Sequence, residues 1–212
     1  MTEPTALGDI DLAALVSSRI CHDVINPVSA IANGLEMLGE EPDDDMREAA
    51  MDLIRKSASQ ASAKLQFARL AFGAAGSAGA EIDLRDAEKV ARDFVQTTGK
   101  HEVLWQGPAV TLPKNKVKLL LNLVALGVVA LPRGGAISVD IGGTPPDVTF
   151  IVRAKGTNAR LNDQVKALLS GGNGIEVDAH SIQPYYARRV ATAAGLSVSA
   201  EQEGEEVVLK AA

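Results

Sequence analysis

The chain has 212 residues, 46% hydrophobic and 23% charged, enough apolar material for one large core or two small ones and too much for a disordered chain. Its net charge of -6, from 27 acidic against 21 basic residues, leaves no broad basic surface to neutralise nucleic-acid phosphates. Aromatic residues, at 3%, leave few platforms for stacking bases, so DNA and RNA are both disfavoured as ligands.

One cysteine, Cys21, cannot form an internal disulfide and suits a reducing compartment. The opening MTEPTALGDI lacks the basic-then-apolar order of a secretion signal, and no stretch approaches the ~18 apolar residues of a membrane span. A cytoplasmic protein without a membrane partner is expected.

In chain order, residues 7–38 read as one long amphipathic helix. With Ile10, Val24, Ile31 and Leu38 at heptad position a, position d carries Ala13, Ile20, Pro27 and Gly34, and Ala14, Cys21, Val28 and Leu35 widen the stripe at e. The run EEPDDD, residues 40–45, predicts a turn whose acidic residues suit the start of a second helix over 45–72. Two such helices make an antiparallel hairpin about 40 to 45 Å long that leaves apolar surface wet, so a homodimer completing a four-helix bundle is expected. GAAGSAG, residues 73–79, reads as a linker, which divides the chain into a helical unit at 1–75 and a second unit at 80–212. The second unit alternates: helix at 84–95, strand at 101–105, apolar helix at 114–131, a strand hairpin at 136–141 and 148–154, helices at 161–169 and 185–194, and a last strand at 206–210. The fold class is therefore α+β in two domains, the second an α/β sandwich with one mixed sheet covered on one face by helices.

The same heptad frame puts His22 at position f, facing away from the bundle. Leu15, Ser18, Arg19, Ile25, Asn26 and Ser29 share that face and suit partner docking, as does Pro27 beside them. Inside a helix, Pro27 removes the amide that would bond the Asp23 carbonyl, and a kink is expected one turn past His22. An exposed neutral imidazole is a competent nucleophile near pH 7. Asp23 is placed to orient the ring by accepting from its second nitrogen, and Asn26 to bond a phosphoryl group or a water. Cys21 is read as a small buried hydrophobe on the e stripe, and His101 and His180 as incidental.

SSRICHDVINPVSAIANGLEML resembles the H-box of sensor histidine kinases, through His22, Asp23, Asn26 and Pro27, and more specifically the ChpT family of histidine phosphotransferases. The resemblance implies a phosphoryl group carried on His22, received from the receiver domain of a hybrid, CckA-like kinase and passed to CtrA-like response regulators. It also implies that the second unit resembles the GHKL, or Bergerat, ATPase domain. The kinase N-box appears as NLVALG, where Asn122 matches the first Asn, but Leu126 replaces the magnesium ligand and Val129 the basic residue. Ala154, in AKGTNA, replaces the adenine-reading Asp. Magnesium selects oxygen ligands; ATP use and a cofactor or metal on this chain are therefore not expected, and the magnesium of the reaction is expected on the partner's receiver domain. The glycines of GGNG, Gly171, Gly172 and Gly174, read as a turn. Arg153, Lys155 and Arg160 form a basic cluster suited to secondary docking of an acidic receiver pocket. Two alternatives stay open: a soluble kinase with a divergent nucleotide site, and a dimeric scaffold that binds response regulators without moving phosphate.

Overall fold

A computed structural model describes residues 7–40, 42–73, 80–145, 147–172 and 174–212. Helices α1 (Asp9–Gly39) and α2 (Asp44–Ala71) form the expected hairpin. From Ile20 onward the a and d positions of α1 are turned inward: Ile20, Val24, Pro27, Ile31, Gly34 and Leu38 are buried or half-buried, while Ile10 and Ala13 are exposed. Gly34 sets the closeness of the two helices, since a Cβ there would lie 2.6 Å from Ile54 Cγ1 and 3.3 Å from the Ala50 carbonyl. The acidic turn acts as a cap, for Asp43 Oδ1 accepts from the Met46 amide at 2.8 Å. Glu41 and residues 74–79 of the expected linker lie outside the described residues.

Beyond it come β1 (Glu81–Asp83), α3 (Leu84–Gln96), β2 (His101–Gln106), β3 (Thr111–Pro113), α4 (Lys114–Ala130), β4 (Gly135–Thr144) and β5 (Asp147–Lys155). The chain ends with α5 (Asp163–Ser170), α6 (Ile182–Ala193), β6 (Val198–Glu203) and β7 (Glu206–Ala211). A five-stranded mixed sheet has the order β2-β4-β5-β7-β6, with β2 parallel to β4 and the other pairs antiparallel; β1 and β3 pair separately. Register aligns Ile137 with Ala154 and Val139 with Val152, and Val152 with Leu209, so alternate residues form one buried face. Helix α4 lies on that face and is buried around most of its girth, because α2, α3 and α6 cover its other side.

Three strands were not predicted. β1 and β3 are only 3 residues each, and β6 is a charged edge strand with one weak apolar stripe. The β4–β5 hairpin is tighter than the six-residue loop expected: the strands continue through Gly142, Gly143 and Thr144. Gly143 permits this with φ of 82°, where a Cβ would collide with the Asp147 carbonyl. Helix α6 starts at Ile182 rather than 185, since Pro184 sits in the first turn, where its missing amide would have had no helical acceptor. The core runs without a break from Phe67, Leu70 and Ala71 at the end of α2 into the sheet. Asn122, fully buried, fastens this junction: its amide nitrogen donates to the Ala71 carbonyl at 3.1 Å and to the Lys118 carbonyl at 2.9 Å.

Candidate functional site

On the outer face of α1, the His22 side chain is 57% exposed. Ser18, Ile25, Asn26 and Ser29 are exposed around it. Its near neighbour Asp23 does not hold the ring by a hydrogen bond: Oδ1 is 3.8 Å from His22 Nδ1, beyond bonding reach. The other carboxylate oxygen accepts from Arg19 Nε at 2.9 Å, one turn earlier on the same helix. Arg19 also donates from Nη1 to the His180 carbonyl at 3.3 Å, so it is a half-buried bridge rather than a free docking cation.

The carbonyl of Asp23 has its own partner. Pro27 has no amide to give it, and Lys64 Nζ, reaching from α2, donates to it at 3.0 Å. Thus α1 stays helical through Pro27, with the lost bond replaced from the facing helix.

His180, read as incidental from the sequence, lies beside His22. The turn before α6 brings its ring to a centroid distance of 5.0 Å from the His22 ring, at an interplanar angle of 83°. Asp178 holds that turn, accepting from the His180 amide at 2.9 Å and from the Ser181 amide and hydroxyl at 2.7 Å each. Those bonds, led by the Ser181 hydroxyl, keep the Asp178 carboxyl below the usual carboxylate range. No local pattern signals this meeting, because the two histidines belong to distant parts of the chain. His101 is tied through both ring nitrogens, to Thr98 Oγ1 at 2.7 Å and the Leu131 carbonyl at 2.9 Å.

Two residues expected on the docking face lie elsewhere. Leu15 is half-buried against Leu168, Ile182 and Tyr185, because the first turns of α1 pack on α5 and α6. Pro27 is buried against the hairpin. Cys21, expected to be covered, is exposed in the single chain. The basic cluster is divided: Arg153 forms an ion pair with Asp140 across the β4–β5 ladder, Lys155 is exposed further along β5, and Arg160 sits in the following loop, its amide donating to the Ala130 carbonyl.

The two positions read from the sequence as lost nucleotide contacts are in the core. Leu126 and Ala154 are 2% and 0% exposed. Beside Leu126 a cleft of about 190 Å³ is lined by Arg19, Val129, Gln164, Asp178, His180 and Gln183, among others. Among the described residues no group of three or more His, Cys, Asp or Glu stands at metal-binding spacing, and no helix is long and apolar enough to cross a membrane.

Residues 84–206 match the histidine phosphotransferase C-terminal domain family. The chain belongs to the histidine phosphotransferases. It is 49% identical over 212 residues, covering 100% of both chains, to the protein phosphotransferase ChpT of Brucella abortus (strain 2308). A solved structure of a bacterial phosphotransferase superposes over 100% of both chains with a TM-score of 0.89 and 46% identity. A histidine kinase of Acinetobacter baumannii, AdeS, superposes over 90% of this chain and 95% of its own at a TM-score of 0.46 and 8% identity. As a histidine phosphotransferase the chain acts in a phosphorelay, with phosphorelay proteins as its partners.

Proposed function

We propose that His22 is the phosphoryl carrier, loaded from the receiver aspartate of a hybrid, CckA-like kinase and unloaded onto CtrA-like response regulators in the cytoplasm. The observation that carries this reading is the exposed ring of His22 on the outer face of α1, open to a docked domain. With its proton on Nδ1, the ring attacks through the Nε2 lone pair. The P–N bond forms as the P–O bond of the partner's acyl phosphate breaks, and the partner's carboxylate leaves with that electron pair. Nδ1 then carries a proton on a positive ring, which the Asp23 carboxylate stabilises by proximity. Asn26, exposed one turn on, bonds the phosphoryl oxygens in this reading. Magnesium belongs to the partner's receiver domain.

The chain works as a homodimer and without ATP. Val28 at 47%, Leu35 at 57%, Met46 at 44% and Leu65 at 50% exposure leave apolar surface on both hairpin helices, as an unpaired half-bundle would. A cleft of about 190 Å³ beside Leu126 falls short of the ~300 Å³ at which ordinary ligand pockets begin, and the leucine side chain at 126 gives magnesium no oxygen ligand. Docking involves Ser18, Ile25 and Ser29, with Lys155 and Arg160 as secondary contacts.

The test is transfer from a receiver domain charged with acetyl phosphate. Wild type becomes labelled and His22→Ala does not; equal labelling of both sinks the proposal, and a His22→Ala protein that still supports downstream signalling favours the scaffold reading. Calorimetry with MgATP should show no binding heat, and light scattering should give twice the chain mass.

A further inference from the structure

Nothing on α1 itself fixes the plane of the His22 ring. Asp23 is too far from Nδ1 and its nearer commitment is to Arg19. A side chain left to rotate would present Nε2 to an incoming phosphoryl group in only part of its conformations, and transfer depends on in-line placement. The one aromatic contact to this ring among the described residues is His180, in a T-shaped arrangement whose 5.0 Å separation lies in the favourable range for edge-to-face rings. His180 is itself well anchored: its amide is bonded to Asp178, its carbonyl to Arg19, and Ile182, two residues on, is fully buried.

We propose that His180 is a positioning residue for phosphoryl transfer, its ring packing edge-to-face on His22 and holding that ring ready for attack through Nε2. The second half of the chain thereby contributes a side chain to the phosphoryl site. Arg19 links the two components, since its guanidinium bonds Asp23 on one side and the turn carrying His180 on the other. This proposal rests on His22 being the acceptor and adds no chemical step: His180 gains and loses nothing during transfer.

The experiment is single-turnover transfer from a phosphorylated receiver domain to the full chain, at varied receiver concentration, with wild type, His22→Ala, His180→Ala and His180→Phe. Loss of an edge-to-face contact of ordinary strength should slow the maximal rate by about three- to tenfold in His180→Ala. The half-saturating receiver concentration should stay unchanged, and His180→Phe, which keeps an aromatic edge, should restore most of the rate. In the uncharged protein, the His22 ring resonances should move towards free-histidine values in His180→Ala and not in His180→Phe. A His180→Ala rate within twofold of wild type overturns the proposal. So does a loss confined to half-saturation, or an equal loss in the Ala and Phe variants. Labelling of His22→Ala would instead overturn the assignment of His22, whatever His180 does.

Discussion

Lys64 donates to the backbone carbonyl of Asp23 at 3.0 Å, filling the place of the amide that Pro27 lacks. A proline inside the helix that carries His22 is thus accommodated by a cation on the opposite helix. The backbone beside His22 stays satisfied although one helical bond is missing.

This pairing predicts coupling. Lys64→Met should lower stability by about 1.5 kcal/mol in the natural sequence, the ordinary contribution of a hydrogen bond from a charged donor. Combined with Pro27→Ala, which returns an amide to position 27, the same substitution should cost less than ~0.5 kcal/mol. Urea unfolding of the four proteins completes the cycle, and strictly additive costs would show that Lys64 does not serve the Pro27 gap.

Gly34→Ala should destabilise the hairpin by about 1–3 kcal/mol, because its methyl would lie 2.6 Å from Ile54 Cγ1 and 3.3 Å from the Ala50 carbonyl. Ile54→Ala made alongside it removes Cγ1, the atom in the way, so the two losses should be less than additive in thermal unfolding.

Asn122→Leu tests the fastener between α2 and the sheet domain. The substitution fills similar volume but leaves the Ala71 carbonyl without its 3.1 Å donor and Gln183, also buried, without the Asn122 oxygen at 3.5 Å. A loss of about 2–3 kcal/mol is expected from unpaired buried polar groups. Amide exchange at the end of α2 should accelerate with it; an unchanged unfolding midpoint would assign Asn122 no such role.

Tyr186 sets an alkaline limit. Its hydroxyl donates to the Phe72 carbonyl at 3.3 Å and its ring packs on Phe72, and burial raises its pKa above the ordinary tyrosine value. The folded state therefore favours the neutral phenol. That contribution is fully present below ~pH 10, the unfolded value, and is lost as pH rises through the higher folded value. Unfolding midpoints followed over about pH 9 to 11 should fall in wild type and fall less steeply in Tyr186→Phe.

Most helices were legible because their cause is local. Apolar residues recurring at helical spacing and the acidic cap at Asp43 act within a few residues, and α1, α2, α3 and α4 lie where that spacing puts them. The edge strand β6 was not legible, since its conformation depends on β7 pairing alongside it rather than on its own weak alternation. Leu15 shows the same limit on a helix: periodicity gives it a face, but only the packing of α5 and α6 decides that this end of the face is covered.

What the sequence by itself determined is the helix α1 and the outward placing of His22 on it. The tertiary structure alone decided what surrounds His22. Lys64 crosses from α2 to the carbonyl left by Pro27, and the turn before α6 sets His180 against the ring. The Lys64 contact comes from the α1–α2 hairpin and the His180 contact from the packing of α6 against α4 and α1, which no periodicity within a single segment encodes.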